Sequence, residues 1–269
     1  MIVEMLTDTH CHLNLNIFQD TLAQVLERAW EKGLERILIP GIDVATSEKA
    51  VALAEQFPNL FAAVGFHPSE AGSWNETIIP SLKDLARHPK VVAIGEIGLD
   101  YYREPFSRPV QREILRAQLE LASEMQLPVI LHNRESFEDL WSEITDWHAR
   151  LTQAGSPLAL RPGVLHSFDG TLANAQAAIE LGFFIGISGP VTFKNARDRQ
   201  AVASELPLKK ILIETDAPYL TPQPYRGRWP NEPAYVSFVA EKLADLHAQP
   251  LQVITRATWE NAAQLFKWE

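Results

Sequence analysis

Eight short apolar, β-branched runs recur along the chain, at positions 2–6, 36–40, 60–65, 91–95, 128–131, 163–165, 183–187 and 210–213. Longer amphipathic stretches separate them, among them 21–32, 45–56, 110–125 and 172–181, the last opening on Thr171 as a candidate N-cap. Runs that are hydrophobic on both faces and alternate with helices read as parallel strands of βα units. Eight such units in 269 residues fit a (β/α)8 TIM-like barrel or, on alternation alone, a doubly wound open sheet.

The residues at the end of each run separate the two. Ligand-type side chains stand at the C-terminal end of six runs: His10 with His12, His67, Glu96 with Asp100, His132 with Arg134, His166 with Asp169, and Glu214 with Asp216. An open sheet gathers its site at one switch point, whereas a closed barrel draws on many strand ends. The expected architecture is therefore α/β: a (β/α)8 barrel, one domain over 1–269, with an extra helix over 251–268.

Composition works by exclusion. A net charge of -10 argues against binding nucleic acid through a broad basic face, although divalent cations would make a site locally positive. No apolar run approaches the roughly 18 residues of a membrane span. No basic-then-apolar leader opens the sequence. The one cysteine, Cys11, rules out an internal disulfide and fits the cytoplasm. Nothing calls for an obligate protein partner.

In extended backbone, His10 and His12 share a face and can offer both imidazoles to one metal ion, while Cys11 between them faces away as an inert core residue. Two imidazoles alone hold a cation weakly, so other ligands must come from elsewhere in the chain. Glu96, between Gly95 and Gly98, can bridge two ions through its carboxylate. With His132, His166 and Asp216 the set reaches four histidines and two carboxylates, enough for two divalent ions. Paired ions about 3.5–4 Å apart lower the pKa of a shared water and clamp attacking and leaving oxygens. Asp216 can then ligate one ion and accept the water's proton. Zn, Mn, Ni or Fe suit the mixed donors and Mg prefers more oxygen; the choice stays open among the five. Arg134 and Arg226 are candidate phosphate contacts, His67 a candidate substrate contact, and Tyr101, with Tyr102 and Trp229, a candidate stacking platform. Asp100 and Glu214 read as residues that orient ligands. His88, His148 and His247 fall in helical or helix-end stretches, away from strand tips, and are expected to be solvated.

Taken in order, several segments resemble the TatD family of metal-dependent hydrolases, within the amidohydrolase-like barrels. They are Asp8-Thr9-His10-Cys11-His12, Gly65-Phe66-His67-Pro68, Gly95-Glu96-Ile97-Gly98-Leu99-Asp100-Tyr101-Tyr102 and His132-Asn133-Arg134. Then come His166-Ser167-Phe168-Asp169-Gly170, Glu214-Thr215-Asp216-Ala217-Pro218-Tyr219-Leu220, Pro224-Tyr225-Arg226-Gly227-Arg228 and Asn231-Glu232-Pro233. The resemblance implies a TIM-like barrel that hydrolyses phosphodiesters, typically as a deoxyribonuclease, with DNA ends or short nucleotides as substrate. It assigns His10, His12, Glu96 and Asp216 to one metal, and Glu96, His132 and His166 to the other. Asp169 and Ala217 stand where the family often has serine, and insertions appear near 151–162 and at Trp229-Pro230. The competing expectations are a binuclear hydrolase of carboxyl esters or amides, and a non-catalytic barrel that binds metal and nucleotide.

Overall fold

The computed structural model describes residues 5–102 and 106–268; positions 2–4 of the first apolar run lie outside the described residues. The strands are β1 (Leu6–Asp8), β2 (Leu34–Pro40), β3 (Leu60–Val64), β4 (Val91–Asp100), β5 (Val129–Arg134), β6 (Gly163–Leu165), β7 (Phe184–Ile187) and β8 (Ile211–Ile213). They pair in parallel, each with the next in sequence. Sequential parallel pairing around a ring, with a helical crossover between strands, is the (β/α)8 arrangement. The ring is completed just beyond the strand ends. Thr9 N donates to Ile213 O at 3.1 Å, Asp216 N to His10 O at 2.8 Å, and His12 N to Ala217 O at 2.7 Å.

The intervening helices are α1 (Leu22–Glu31), α2 (Val44–Gln56), α3 (Ile78–Ala86), α4 (Arg108–Met125), α5 (Phe137–Gln153), α6 (Leu172–Glu180), α7 (Arg197–Glu205) and α8 (Val236–His247). Local chemistry fixes several starts. Asp43 Oδ1 accepts from Thr46 N at 2.7 Å and Thr46 Oγ1 from Asp43 N at 3.0 Å, so α2 begins on a reciprocal cap. Thr171 accepts from Asn174 N and caps α6, as its place in the sequence suggested.

Period-2 alternation divides the strand side chains between two apolar clusters. Ile37, Ile39, Val64, Leu131 and Ile185 pack outward beneath the helices. Leu38, Ala63, Ile130, Val164, Phe184 and Leu212 form the inner cluster. The extra helix, α9 (Leu251–Phe266), joins that inner cluster through Ala262, Leu265 and Phe266, with Trp268 after it. The Trp268 ring sits 5.1 Å from Phe61 and 4.9 Å from Phe266. No helix among the described residues is long and apolar enough to cross a membrane.

Two differences from the sequence reading stand out, the first of them at the site. β4 and β5 run past their apolar stretches, so Glu96 and His132 lie within hydrogen-bonded strand rather than after it, with Gly98 opposite His132. A Cβ at Gly98, whose φ is +148°, would overlap the His132 carbonyl, so glycine is required for that close pairing. The second difference concerns histidines expected to be solvated. His148 Nε2 is paired with Ala159 O at 3.0 Å, and His247 Nε2 is buried without a hydrogen-bond partner. His88 instead lies 3.0 Å from Glu55. His148 lies within α5 and His247 ends α8, whereas His88 follows the end of α3.

Candidate metal centre

The segment after β1 is extended and fastened to the segment after β8, which aims His10 and His12 at the barrel mouth. Their Nε2 atoms are 3.1 Å apart, while Cys11 is fully buried on the other side, its thiol pushed up by burial. Asp8 anchors this seam. Its carboxylate accepts from Thr215 N at 3.0 Å and from His10 N at 3.2 Å, and burial pushes it up to about 8. Asp216 comes next at φ +55°, a left-handed conformation unusual for a residue with a side chain and held by its bond to His10 O.

Glu96 splits its carboxylate between two groups of histidines. Oε2 lies 3.3 Å from His10 Nε2 and 3.5 Å from His12 Nε2. Oε1 lies 3.0 Å from His132 Nδ1, 3.1 Å from His166 Nε2 and 3.7 Å from His67 Nε2. Asp216 Oδ1 stands 3.8 Å and 3.5 Å from His10 and His12 Nε2. Behind these atoms, His132 Nε2 meets Asp100 at 3.1 Å and His166 Nδ1 meets Glu214 at 3.3 Å. Glu214 also accepts a bond from Ser167 N. Gly186 makes room for it, since a Cβ there would come within 2.7 Å of a Glu214 oxygen.

Burial opposes charge throughout the site, and the neighbours decide the outcome. Glu96 is pushed up by burial but pulled well below the usual carboxylate range by His166, His10 and His67. Asp216 is lowered against burial by its bond to His12 and by His166 and His10. His166 is raised well above the ordinary imidazole value: burial opposes this, but Glu96 and Glu214 prevail. His132 is raised against burial by Asp100 and Glu96. His10 goes down, through burial and then His166. For His67, burial and then His132 bring the value to about 3. Anionic oxygens balanced by protonated imidazoles are groups whose protons a divalent cation displaces on binding.

The donor set fits such ions. Two donors held about 2.0–2.1 Å from one zinc at the tetrahedral angle stand about 3.3–3.4 Å apart, close to the spacings around His10, His12, Glu96 and Asp216. Three trios of described residues bring ligand atoms within 4.8 Å of one another: His10, His12 and Glu96; His67, Glu96 and His132; His10, His166 and Glu214. The Nδ1 atoms of His10 and His12 are buried without partners, so their facing Nε2 atoms carry these rings' polar contacts. A cavity of about 510 Å³ opens over the cluster.

The family model described as TatD related DNase matches residues 7–267. The chain belongs to the TatD family. It is 40% identical over 263 residues to the metal-dependent hydrolase YabD of Bacillus subtilis, covering 98% of this chain and 99% of that one. It is 36% identical to the 3'-5' ssDNA/RNA exonuclease TatD of Edwardsiella piscicida, covering 97% and 98%. Among solved structures, the TatD homologue YjjV of Escherichia coli K12 matches with a TM-score of 0.88 and 33% identity, over 99% of each chain. This TatD-family chain is a metal-dependent hydrolase.

Within the family frame, the structure brings together His10, His12, His67, Glu96, His132, His166 and Asp216, with Arg134 on the cavity wall. It does not bring in Tyr101 or Arg226. Tyr101 is 6% exposed, donates its hydroxyl to Asp139 at 2.8 Å and lies under Arg108, because alternation along the strand turns it away from Asp100's face. Arg226 stacks on Phe193 at 4.0 Å and donates to Asn195 at 3.1 Å, outside the residues that line the cavity. Trp229 is exposed and tilts against Tyr219, which lines the cavity.

Other residues of the site escaped the sequence reading. Arg199 reaches the cavity from α7, and nothing in a helical segment announces that. Two glutamines of α4 hold the site's backbone. Gln118 accepts from Phe66 N at 2.7 Å and donates to Phe66 O at 2.9 Å, beside His67. Gln111 does the same for Asp100, at 2.9 and 3.0 Å. Their signal was present: polar residues at apolar spacing on a buried helix face, with Ile114, Leu115 and Ala122.

Proposed function

We propose that this protein is a phosphodiesterase acting on nucleic-acid ends or short nucleotides. In this reading His10, His12, Glu96 and Asp216 hold one divalent ion, and Glu96, His132 and His166 hold a second. Zn, Mn, Ni, Fe and Mg are the candidates. The carrying observation is that the two oxygens of Glu96 face separate histidine groups. The exonuclease name of the Edwardsiella relative supports a nucleic-acid substrate.

When bound, the two ions supply a nucleophile ionised at neutral pH and offset charge on the attacking and leaving oxygens. Asp216, held anionic at the mouth with Oδ1 turned toward His10 and His12, accepts the proton of the attacking water at its other oxygen, Oδ2. Asp100 and Glu214 fix the rings of His132 and His166. His67 Nδ1 accepts from Ser69 N at 3.0 Å, so its neutral ring carries hydrogen on Nε2 and donates it to a non-bridging phosphoryl oxygen. Arg134, stacked on Tyr102 at 3.7 Å, supplies a guanidinium fork on the cavity wall. Cytoplasmic residence suits the lone buried thiol of Cys11.

The test is a turnover panel on protein loaded with each of the five ions: labelled single-stranded DNA and RNA, bis-p-nitrophenyl phosphate, carboxyl esters and cyclic amides. We expect phosphodiester cleavage, falling about 10²–10⁴-fold in Asp216→Asn with the fold intact. Turnover confined to esters or amides would reassign the bond.

A further inference from the structure

Among the described residues, Arg134 and Arg199 are the arginines that line the cavity, in a protein of net charge -10 and beside Glu96, Asp100, Asp169 and Asp216. Arg199 is placed by the first turn of α7, after β7, while Arg134 ends β5. The strand between them, β6, leads into His166 and Asp169, so the two guanidiniums flank that segment.

We propose that Arg199 is a second anion subsite, one that takes a substrate phosphate group other than the one being cut, and that Asp169 is the internal anion this phosphate displaces. The inference rests on the phosphodiesterase reading and deepens it. Arg199 is pinned from one side, Nη1 donating to Phe168 O at 3.2 Å. Its contact on the other side is loose: Nη2 lies 3.5 Å from Asp169 Oδ2, with the two side chains 35% and 39% exposed. An ion pair of that length between part-exposed groups contributes little. Two of the five guanidinium donors are used in these bonds, and the fork geometry matches two oxygens of a phosphate better than a single carboxylate oxygen. At about 510 Å³ the cavity has room well beyond one phosphodiester group. A nucleotide chain offers a second phosphate one sugar away, either as a further diester or as a terminal monoester.

The two residues then have effects of opposite sign. Removing Arg199 weakens a doubly phosphorylated ligand; removing the charge of Asp169 strengthens it, because its competitor is gone. A purely structural role for the pair gives losses of the same sign in both variants.

Binding is measured by titration calorimetry on the metal-loaded protein, with thymidine 3',5'-bisphosphate and the two thymidine monophosphates as probes. In Arg199→Ala the bisphosphate is expected to lose about tenfold or more in affinity relative to the monophosphates. Arg199→Lys should recover part of that loss, and Asp169→Asn should bind the bisphosphate several-fold tighter than wild type. A second arm compares kcat/KM for dithymidylate with its 5'- and 3'-phosphorylated forms and with trithymidylate. The preference for at least one phosphate-bearing substrate should fall at least tenfold in Arg199→Ala, and which one falls separates a terminal monoester from a further diester. An unchanged bisphosphate-to-monophosphate ratio in Arg199→Ala, or weaker binding in Asp169→Asn, overturns the subsite. If wild type cleaves none of these substrates, the phosphodiesterase reading fails, and the calorimetric ratio still decides Arg199.

Discussion

Asp8 holds Thr215, 207 positions further along the chain, by two hydrogen bonds, at 3.0 Å from the backbone N and 2.5 Å from Oγ1. That contact sews the first strand to the last and places the His10–His12 segment against the one carrying Asp216. Asp8→Ala leaves Thr215 N, Thr215 Oγ1 and His10 N without their acceptor in a dry interior. We expect a loss of about 3 kcal/mol by denaturant titration and at least tenfold weaker binding of the ion held by His10 and His12. Wild-type metal affinity in a destabilised variant would show that the seam supports the fold but not the site.

Glu96 is the one side chain shared by both proposed metal positions, so its replacement has a wider effect than any histidine's. In Glu96→Gln, mass spectrometry of metal content should find both ions depleted, whereas His132→Ala should retain one. Chelation of the wild type should lower Tm and abolish turnover together, because ions that bind only the folded state stabilise it. Retention of two ions in Glu96→Gln would contradict the bridge.

A separate acid stands outside the residues that line the cavity. Glu143 of α5 is buried and accepts from Arg112 Nε and from Arg116 Nε, each at 2.6 Å, tying α4 to α5. Burial pushes its carboxyl up, but the bonds to Arg116 and Arg112 bring it below the ordinary value. A carboxyl lowered by folding stabilises above its unfolded pKa of about 4.3, and the contribution is lost as pH falls through the folded value. Glu143→Gln should therefore destabilise by about 1–2 kcal/mol at pH 7, discounted for the exposure of Arg116, and by much less near pH 3. Thermal melts across that range check the sign; an equal cost at both ends would refute it.

At the opposite end of the barrel, Trp268 is 2% exposed against Phe61 and Phe266. Trp268→Ala should cost about 3–5 kcal/mol, visible as a lower Tm, while kcat of the folded protein at 20 °C stays within a factor of two. A large drop in kcat with little change in Tm would mean that α9 communicates with the mouth.

How much of this molecule its residues state unaided depends on the range of the forces concerned. Apolar runs alternating with amphipathic stretches state which backbone must be buried on both faces, and that suffices for strands and helices, while the ligand-type residues after six of the runs point to a closed barrel. His10 and His12 share a face because strand period is local geometry, and Thr171 caps α6 through a bond three residues away. These features are properties of neighbouring residues, so the sequence determined them by itself. Which oxygen of Glu96 faces which histidine, the departure of Tyr101 toward Asp139, the withdrawal of Arg226 onto Phe193 and the arrival of Arg199 from a helix belong to another class. Each depends on side chains brought together from distant segments and on competition between partners a few ångströms apart, and only the closed ring decided those.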